Sequence, residues 1–461
     1  ILWGVFMKKR KKIILGSITG ALALALAGGG FWAYKTFVPQ ETPIDKNATV
    51  ASNFYQAVNK DWLLKAKIPA DSPSIDNFYT LGEDIKGKLK KDIKNLGEGK
   101  ETSDITGMSE FITFYKAASD YKQREKDGLE PLKPYLKEIE DIKDVNDLAS
   151  KSASLTDKGI PLPFGYDVGT NAENTSQKQI QLSPPSILLP DVSIYKDEAS
   201  KKQYLTPIET ATQKALEMLG YSEKNSKRIV KEALEFDEII AKYSLSNEEM
   251  SESKNLVHPK TAEEINAYSG SFKLYDVIKG IMGRDLETIN VPNTKYFENY
   301  SKIVNQDNFS KIKSWILVQE AMAASNSLTE DYRLNFASIS MAIMGTQKPL
   351  SKEDTVYEMS VNLFSDVMSV YYGRKYFGEE AKTDVTGMID KIKNVYRGRL
   401  QQNDWLTEDT RNKAIEKLDK MKVFVGYQED VDPGTKELHL DPNKSFFELS
   451  RHCPVRKTLY H

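Results

Sequence analysis

Apolar residues recur every three or four positions through much of this 461-residue chain, and this spacing limits its fold more than any other feature. Ser222 is a good N-cap residue, and Ile229, Ala233, Phe236 and Ile240 follow it at helical spacing. These four side chains form one stripe on a helix and leave the opposite face polar. The pattern predicts a mainly α-helical protein in which most helices bury one face.

A second helix is predicted to begin after Thr407, whose hydroxyl can cap it. Two acidic residues in the first turn lie favourably near the positive end of the helix dipole. Gly426 is well placed to end this helix. The predicted buried face consists of Ala414, Ile415, Leu418 and Met421.

Residues 159–190 break the helical pattern. They are rich in Gly, Pro, Asn and Ser and contain short apolar runs such as residues 178–182. Such a composition is typical of strands joined by turns. We therefore expect a small strand pair with loops inside an otherwise helical chain.

Composition restricts the class of protein. Of the residues, 40% are hydrophobic and 28% charged, which is enough for two or three globular cores. The 64 basic and 66 acidic residues are interspersed and give a net charge of -2, so no large field attracts nucleic acid. Cys453 is the only cysteine, and an intrachain disulfide is therefore impossible.

The N-terminal residues predict export. Five basic residues, 8–12, precede an uncharged run at 13–34 that would form a helix of about 33 Å, enough to span a bilayer. Basic residues stay in the cytoplasm, so a signal-anchor here gives a single-pass protein of the cell membrane with its body outside. Alternatively, the small residues Ala25 and Ala27 mark a signal-peptide cleavage site before Gly28, and the body is secreted. A buried core helix seldom follows five basic residues so directly. Met7 is the expected start.

Eight segments between residues 53 and 427 carry a family resemblance when read in order. They are Asn53-Phe54-Tyr55 with Asn59, Trp62 and Ile68-Pro69; Phe114-Tyr115-Lys116; residues 128–132; Leu188-Leu189-Pro190-Asp191; residues 219–222; Gly345-Thr346; residues 375–382; and Asp404-Trp405-Leu406-Thr407 through Val425-Gly426-Tyr427. Each is weak alone, but their order and spacing resemble those of peptidase family M13, the neprilysin and oligopeptidase O family.

The resemblance implies a mostly helical, two-lobed zinc endopeptidase outside the cytoplasm that admits peptides and short polypeptides to a central cavity. Its chemistry needs an H-E-x-x-H helix, whose histidines hold zinc and whose Glu acts as general base. The four histidines of this chain, His258, His439, His452 and His461, include no pair at that spacing. We therefore name no catalytic or metal-binding residue and leave the substrate-binding residues unknown. Zinc is the cofactor of the full-length family, and we expect none on this chain.

Other candidate sites are poor. Glu448 and His452 are four residues apart and could share a helix face, but one such pair rarely holds a metal. His258 lies at a loop position without a partner. Residues 97–100, Gly-Glu-Gly-Lys, lack the spacing of a phosphate-binding loop and predict a solvated turn. Residues 16–20 are not a nucleophile elbow and fall within the predicted membrane segment.

The chain departs from the family pattern at several positions. Where animal members carry an Arg and an Asp that meet the substrate, the alignment has Ser74 and Tyr79. Ala118 replaces a cysteine of the animal proteins, as expected of a bacterial member without disulfides. Near Arg451 the sequence changes character, with Cys453 and a helix-breaking proline following at once, which indicates a frameshift or premature stop.

These observations predict four regions: a basic start with a membrane or signal helix at 1–37, a stalk at 38–50, a helical M13 N-terminal domain at 51–430, and an incomplete start of the catalytic domain at 431–461. Two functions remain open. One is the N-terminal portion of an M13 zinc metalloendopeptidase, inactive alone. The other is a membrane-anchored, non-catalytic helical protein that binds a partner or supports structure.

Overall fold

The computed structural model describes residues 44–451, which form two compact units. The first unit contains residues up to 83 together with 122–351, and the second contains 84–121 together with the chain from 352 onward. The predicted membrane or signal helix at 13–34 lies outside the described residues. Within residues 44–451, none of the helices has the length and apolar character needed to cross a bilayer.

The first unit is built mainly from helices joined by short loops. Its α-helices are Phe54–Leu63, Tyr121–Asp127, Lys133–Glu140, Val145–Asp157, Glu198–Met218, Glu223–Tyr243, Asn247–Met250, Ala262–Tyr268, Leu274–Met282, Thr294–Phe297, Tyr300–Ile303, Phe309–Ala323 and Glu330–Met344. Short 3-10 helices, including Val192–Lys196, connect several of them.

The helix predicted after Ser222 is confirmed as Glu223–Tyr243. The Ser222 side chain accepts a hydrogen bond from the backbone N–H of Asn225, as an N-cap should. The whole predicted stripe is buried. It packs on helix Phe309–Ala323, where Phe236 and Trp315 meet edge to face with ring centroids 5.9 Å apart.

A small four-stranded sheet lies in the first unit. Its strands are β1 (Gly165–Thr170), β2 (Lys178–Ser183), β3 (Pro259–Lys260) and β4 (Ile289–Asn290), in the order β1-β2-β4-β3. β1 and β2 are antiparallel from Gly165 opposite Ser183 to Thr170 opposite Lys178. β2 pairs parallel to β4 through Gln181 and Asn290, and β3 pairs antiparallel to β4. The predicted strand pair within residues 159–190 is therefore confirmed.

The second unit has a core of its own. Its α-helices are most of Asn77–Gly97, then Met108–Ser119, Lys352–Leu363, Ser365–Tyr372, Gly378–Gln401, Glu408–Asp419, Pro433–Lys436 and Phe446–Arg451, with a π-helical turn at Gly373–Phe377. The core centres on Phe111, Phe114 and Phe364. Phe446, close to the end of the described chain, packs on Phe114 with ring centroids 5.3 Å apart.

The second predicted helix is confirmed in its start but not in its end or its buried face. The Thr407 side chain accepts a hydrogen bond from the backbone N–H of Thr410, but the helix ends at Asp419. Gly426 therefore does not terminate it. Of the four residues predicted to be buried, only Leu418 is; Met421 is exposed and lies beyond the helix. Ala414 and Ile415 are only half-buried, although this helix contacts helix Gly378–Gln401.

Candidate functional site

The histidines within residues 44–451 are His258 and His439, and neither belongs to a metal site. His258 lies just before β3, where its backbone N–H donates to Oδ1 of Asn290 at 2.7 Å. His439 is exposed, with Nδ1 4.0 Å from Glu110. In the described part of the chain, no three His, Cys, Asp or Glu side chains converge on a possible metal position. These residues do not fit the zinc centre that the family resemblance implies.

Glu448 and residues 97–100, which were considered as candidate sites from the sequence, take part in local structural contacts. Glu448 accepts hydrogen bonds from the backbone N–H and the hydroxyl of Ser445, at 3.0 and 2.9 Å, and so closes the start of the last helix. Its proposed companion His452 lies outside the described residues. Residues 97–100 form a turn after a helix, where Lys100 pairs with Glu98 at 2.5 Å.

The three positions that depart from the family pattern do not share one environment. Ser74 is exposed in the loop before helix Asn77–Gly97. The backbone N–H of Tyr79, in the first turn of that helix, donates to the Asp76 carboxylate at 2.7 Å. Ala118 is fully buried in the core of the second unit.

A cleft in the first unit is a candidate binding site. It has a volume of about 620 Å³, within the range of about 300–1,000 Å³ that ordinary ligand sites occupy. The paired strands β1 and β2 contribute one side, and the proline-rich loop 184–191 after β2 contributes another. Residues from 244–250 and from the segment after β4 complete the lining.

Among residues 44–451, the charged side chains that line this cleft are two carboxylates, Asp167 and Asp191. Asp167 accepts a hydrogen bond from the backbone N–H of Val168 at 2.7 Å. Asp191 accepts from the backbone N–H groups of Ser193 and Asn247, both at 2.8 Å. Partial burial raises the pKa of Asp191, but these hydrogen bonds outweigh burial and hold its pKa below the usual value.

A buried carboxylate fixes the loop that walls the cleft. Asp237, in helix Glu223–Tyr243, is completely buried and accepts two hydrogen bonds from its neighbours Tyr195 (hydroxyl) and Trp315 (indole N–H). It also accepts from the backbone N–H of Leu188 in the loop at 3.0 Å. Burial raises the pKa of the Asp237 carboxyl to about 6, and the three donors only partly offset this.

Sequence reasoning missed Asp237, although a signal was present. Asp237 lies four residues after Ala233 and four before Ala241, so it falls within the apolar stripe of its helix. A carboxylate at such a position must find donors, because an unpaired buried charge is very costly. The sequence did not reveal that one of these donors would come from a loop 49 residues away.

A second cluster of charges lies in the second unit at the π-helical turn. Lys375 Nζ lies 2.9 Å from each of Asp92, Glu101 and the Tyr371 hydroxyl. Burial lowers the pKa of Lys375, but hydrogen bonds to Tyr371, Asp92 and Glu101 outweigh it and leave the pKa above the usual value. Burial and a hydrogen bond to Asp92 raise the pKa of Tyr376 to about 12. The cluster is fully paired, which suits a structural tie between the turn and helix Asn77–Gly97.

Helix Gly378–Gln401 in the second unit has a long apolar face that no residue in the described range 44–451 covers. None of its 24 residues is buried. Met388, Ile392, Val395 and Tyr396 lie along one side at helical spacing and are 49–64% exposed. Trp405 and Phe424, further along the chain, are even more exposed. An apolar surface of this extent marks a region that normally contacts another protein surface.

The fold has close counterparts among solved structures. PepO from Lactobacillus rhamnosis superposes with a TM-score of 0.84 at 23% identity, covering 90% of this chain and 65% of that one. A zinc metalloprotease of Mycobacterium tuberculosis gives 0.78 at 19% identity, covering 92% and 64%. The architecture is thus that of the larger, mainly helical part of these metallopeptidase structures.

The sequence match is specific enough to define the family. The family model described as peptidase family M13 matches residues 50–428, and the chain belongs to this family. A neutral endopeptidase of Lactobacillus helveticus is 32% identical over 417 residues, and one of Lactococcus lactis is 30% identical over 384. The matches cover 90% and 83% of this chain, but only 64% and 61% of those relatives.

Proposed function

We propose that this chain is the N-terminal portion of an M13-type zinc metalloendopeptidase that cleaves peptides outside the cell. The observation that carries the proposal is the family match over residues 50–428, which extends through both units. The relatives from Lactobacillus helveticus and Lactococcus lactis bear the name neutral endopeptidase. The whole protein would be a hydrolase with zinc as cofactor and peptides or short polypeptides as substrates.

The residues present indicate which parts of that whole protein this chain would supply. The chain would supply the helical N-terminal domain at 51–430 and the start of the catalytic domain at 431–461. Zinc ligands would come from sequence beyond this chain, because the described residues contain no group of three metal-ligating side chains. On this proposal the chain alone binds no zinc and is inactive.

The exposed apolar face of helix Gly378–Gln401 in the second unit supports this division. An apolar face on a 24-residue helix costs stability in water unless something covers it. The named relatives are longer than the part that this chain matches. We propose that the catalytic part of the whole protein covers the face formed by Met388, Ile392, Val395 and Tyr396.

Export forms the remaining part of the proposal. Residues 13–34 would anchor the protein in the cell membrane with its body outside, or the body would be secreted after cleavage near Ala27. The net charge of -2, with both signs interspersed, provides no basic surface for nucleic acid. Peptides are therefore the expected partners.

The most economical test reads the DNA beyond the codon for His461 in all three frames. We expect an H-E-x-x-H motif within about 200 residues, the scale of one further domain. A product that includes this motif should bind zinc and cleave peptides. Absence of the motif in every frame would favour the alternative, a membrane-anchored, non-catalytic helical protein that binds a partner or supports structure.

A further inference from the structure

The cleft beside β1 and β2 contains side-chain hydrogen-bonding groups that have no partner among residues 44–451. Asn293 is only 4% exposed and lines the cleft. Its Oδ1 accepts a hydrogen bond from the backbone N–H of Tyr296 and so caps a short helix. Its Nδ2 donates to no acceptor among residues 44–451. Because Asn293 lines the cleft, this donor is available to a carbonyl oxygen of a ligand there.

Two glycines of β1 make room for further polar groups on the same cleft. A Cβ at Gly169 would lie 2.0 Å from Nε2 of Gln181, and one at Gly165 would lie 2.5 Å from Oγ of Ser183. Both Gln181 and Ser183 line the cleft. Neither side chain forms a hydrogen bond within the described part of the protein. The glycines thus let strand β2 present a carboxamide and a hydroxyl to the cleft.

The walls around these groups are apolar. The loop after β2 contributes Pro184, Pro185 and Ile187, and Leu245 and Pro292 lie on other sides. In the described part of the chain, no Lys, Arg or His lines the cleft, and its two carboxylates already accept hydrogen bonds from backbone N–H groups. The cleft therefore has nothing with which to hold an anion, and it repels an acidic ligand.

We infer that this cleft binds an extended, uncharged peptide segment. A carboxamide offers one acceptor and two donors in the geometry of a peptide group, so Gln181 and Asn293 match the two sides of a peptide backbone. The apolar walls match small aliphatic side chains, and the volume suits a segment of a few residues. The inference goes beyond the proposed function, because binding here uses only this chain and requires neither zinc nor hydrolysis.

Calorimetric titration of the purified chain tests the inference directly. The probe is the blocked neutral peptide acetyl-Ala-Leu-Ala-Val-Ala-amide, and the comparison is acetyl-Ala-Glu-Ala-Glu-Ala-amide. We expect saturable one-to-one binding of the neutral peptide and binding of the acidic one at least about tenfold weaker, because like charges repel. No saturable binding of the neutral peptide, or equal binding of the two, would overturn the inference.

Two variants assign the binding to the cleft. Asn293→Asp keeps the capping oxygen but removes the Nδ2 donor, so it should weaken binding by about three- to tenfold, the value of one hydrogen bond. Asn53→Asp is the matched control, because Asn53 also caps a helix through its side-chain oxygen but does not line the cleft. This control should bind as the unmodified chain does.

Ser186→Tyr provides a second route if Asn293→Asp fails to fold. Ser186 is exposed on the loop that walls the cleft, so a larger side chain there can fill the cleft without disturbing the core. Its binding should be lost while the circular dichroism spectrum stays unchanged. Unchanged binding by Ser186→Tyr would exclude the cleft as the site.

Binding is measured without turnover, so the inference and the proposed function can fail separately. If the chain binds the peptide although no H-E-x-x-H lies downstream, the inference stands and the proposed function is overturned.

Discussion

Asp237 lies in an environment that a carboxylate normally avoids. Its carboxylate is completely buried and depends on three donors, one of which is the backbone of the loop that forms the cleft wall. The loop that contains Leu188 is therefore held in place by the Asp237 carboxylate, a group that is more stable in water than in a protein core. Loss of this contact would free Leu188 and with it the cleft wall.

The raised pKa of Asp237 predicts a pH dependence of stability. Because the folded-state pKa is about 6 against an ordinary value of 3.8, the folded protein holds this proton more tightly. The contribution is fully present below about pH 3.8 and is lost as the pH rises through 6. At about 1.4 kcal/mol for each pKa unit, the loss amounts to at most about 3 kcal/mol.

Urea unfolding of Asp237→Asn and of the unmodified chain at pH 4 and pH 7 measures this contribution. The fall in unfolding free energy between the two pH values should be smaller in Asp237→Asn by up to about 3 kcal/mol. Glu238→Gln is the control, because Glu238 is half exposed and pairs with Lys201 at the surface. An identical pH slope for Asp237→Asn and the unmodified chain would contradict the assignment.

The roles that depend on neighbouring residues in the sequence were predictable, whereas the roles that depend on tertiary contacts were not. Ser222 and Thr407 were identified as N-caps, because capping depends on a hydroxyl and the next three residues. Asn293 and Asp237 depend on partners far along the chain or on a cleft assembled from several segments. No short pattern encodes these, and both were missed.

At the scale of elements, the π-helical turn Gly373–Phe377 is fixed by close contact with residues 426–427. A Cβ at Gly373 would lie 2.1 Å from the Tyr427 ring, and one at Gly426 would lie 2.5 Å from the Phe377 ring. The Tyr427 hydroxyl donates to Glu379 at 2.5 Å. Phe377, Glu379, Gly426 and Tyr427 fall within two of the segments that carry the family resemblance, and the contact gives a physical reason for their residue types.

Gly373→Ala should therefore destabilise the second unit by about 1–3 kcal/mol, the usual cost of overpacking. Gly387→Ala is the matched control in the next helix, where a new Cβ meets nothing within 4 Å. That substitution should stabilise by about 0.5–1 kcal/mol, because alanine favours a helix over glycine. Thermal unfolding of both variants measures the difference, and equal melting temperatures would contradict the packing described.

Helix Gly378–Gln401 should be the first part of the described chain to be cleaved by trypsin. It has no buried residue, and Lys391 and Arg399 are exposed on it. Cleavage is expected between residues 385 and 425, while residues 431–451 stay protected because Phe446 and Leu449 lie in the core. Mass spectrometry of the fragments identifies the sites. A first cut within helix Glu223–Tyr243 instead would refute this order of stability.

The helices and strands show which features the sequence patterns could predict and which they could not. The strand pair and the start of each predicted helix were correct, because turn residues and caps act locally. The prediction that Met421 is buried was wrong. An apolar stripe shows that a helix face is suited to packing, but it does not show which surface covers that face. The exposed apolar face of helix Gly378–Gln401 in the second unit is of this kind.

At the scale of the whole molecule, the family was predictable from eight ordered segments, and the family model over residues 50–428 confirms it. The mainly helical class with a small sheet is confirmed as well. The division into two units was not predicted, because the second unit combines residues 84–121 with the chain from 352 onward. Contacts across such a separation leave no periodic signal in the sequence.

Export remains a prediction, and membrane fractionation of expressing cells tests it. If residues 13–34 anchor the chain, it should stay in the membrane fraction after a carbonate wash, and protease added outside the cell should digest its body. A soluble form that begins at Gly28 would establish cleavage of a signal peptide instead. A chain found wholly in the cytoplasm would contradict both forms of export.

The proposal that this chain alone holds no zinc centre is tested most directly by metal analysis of the purified chain combined with a quenched-peptide assay. Structural zinc needs three or four converging ligands, and the described residues supply no such group. We expect no stoichiometric zinc after dialysis and no cleavage of oligopeptides above background. Zinc at one equivalent together with turnover that a chelator abolishes would show that the chain holds a complete catalytic centre, and would contradict its role as the non-catalytic portion of an M13 peptidase.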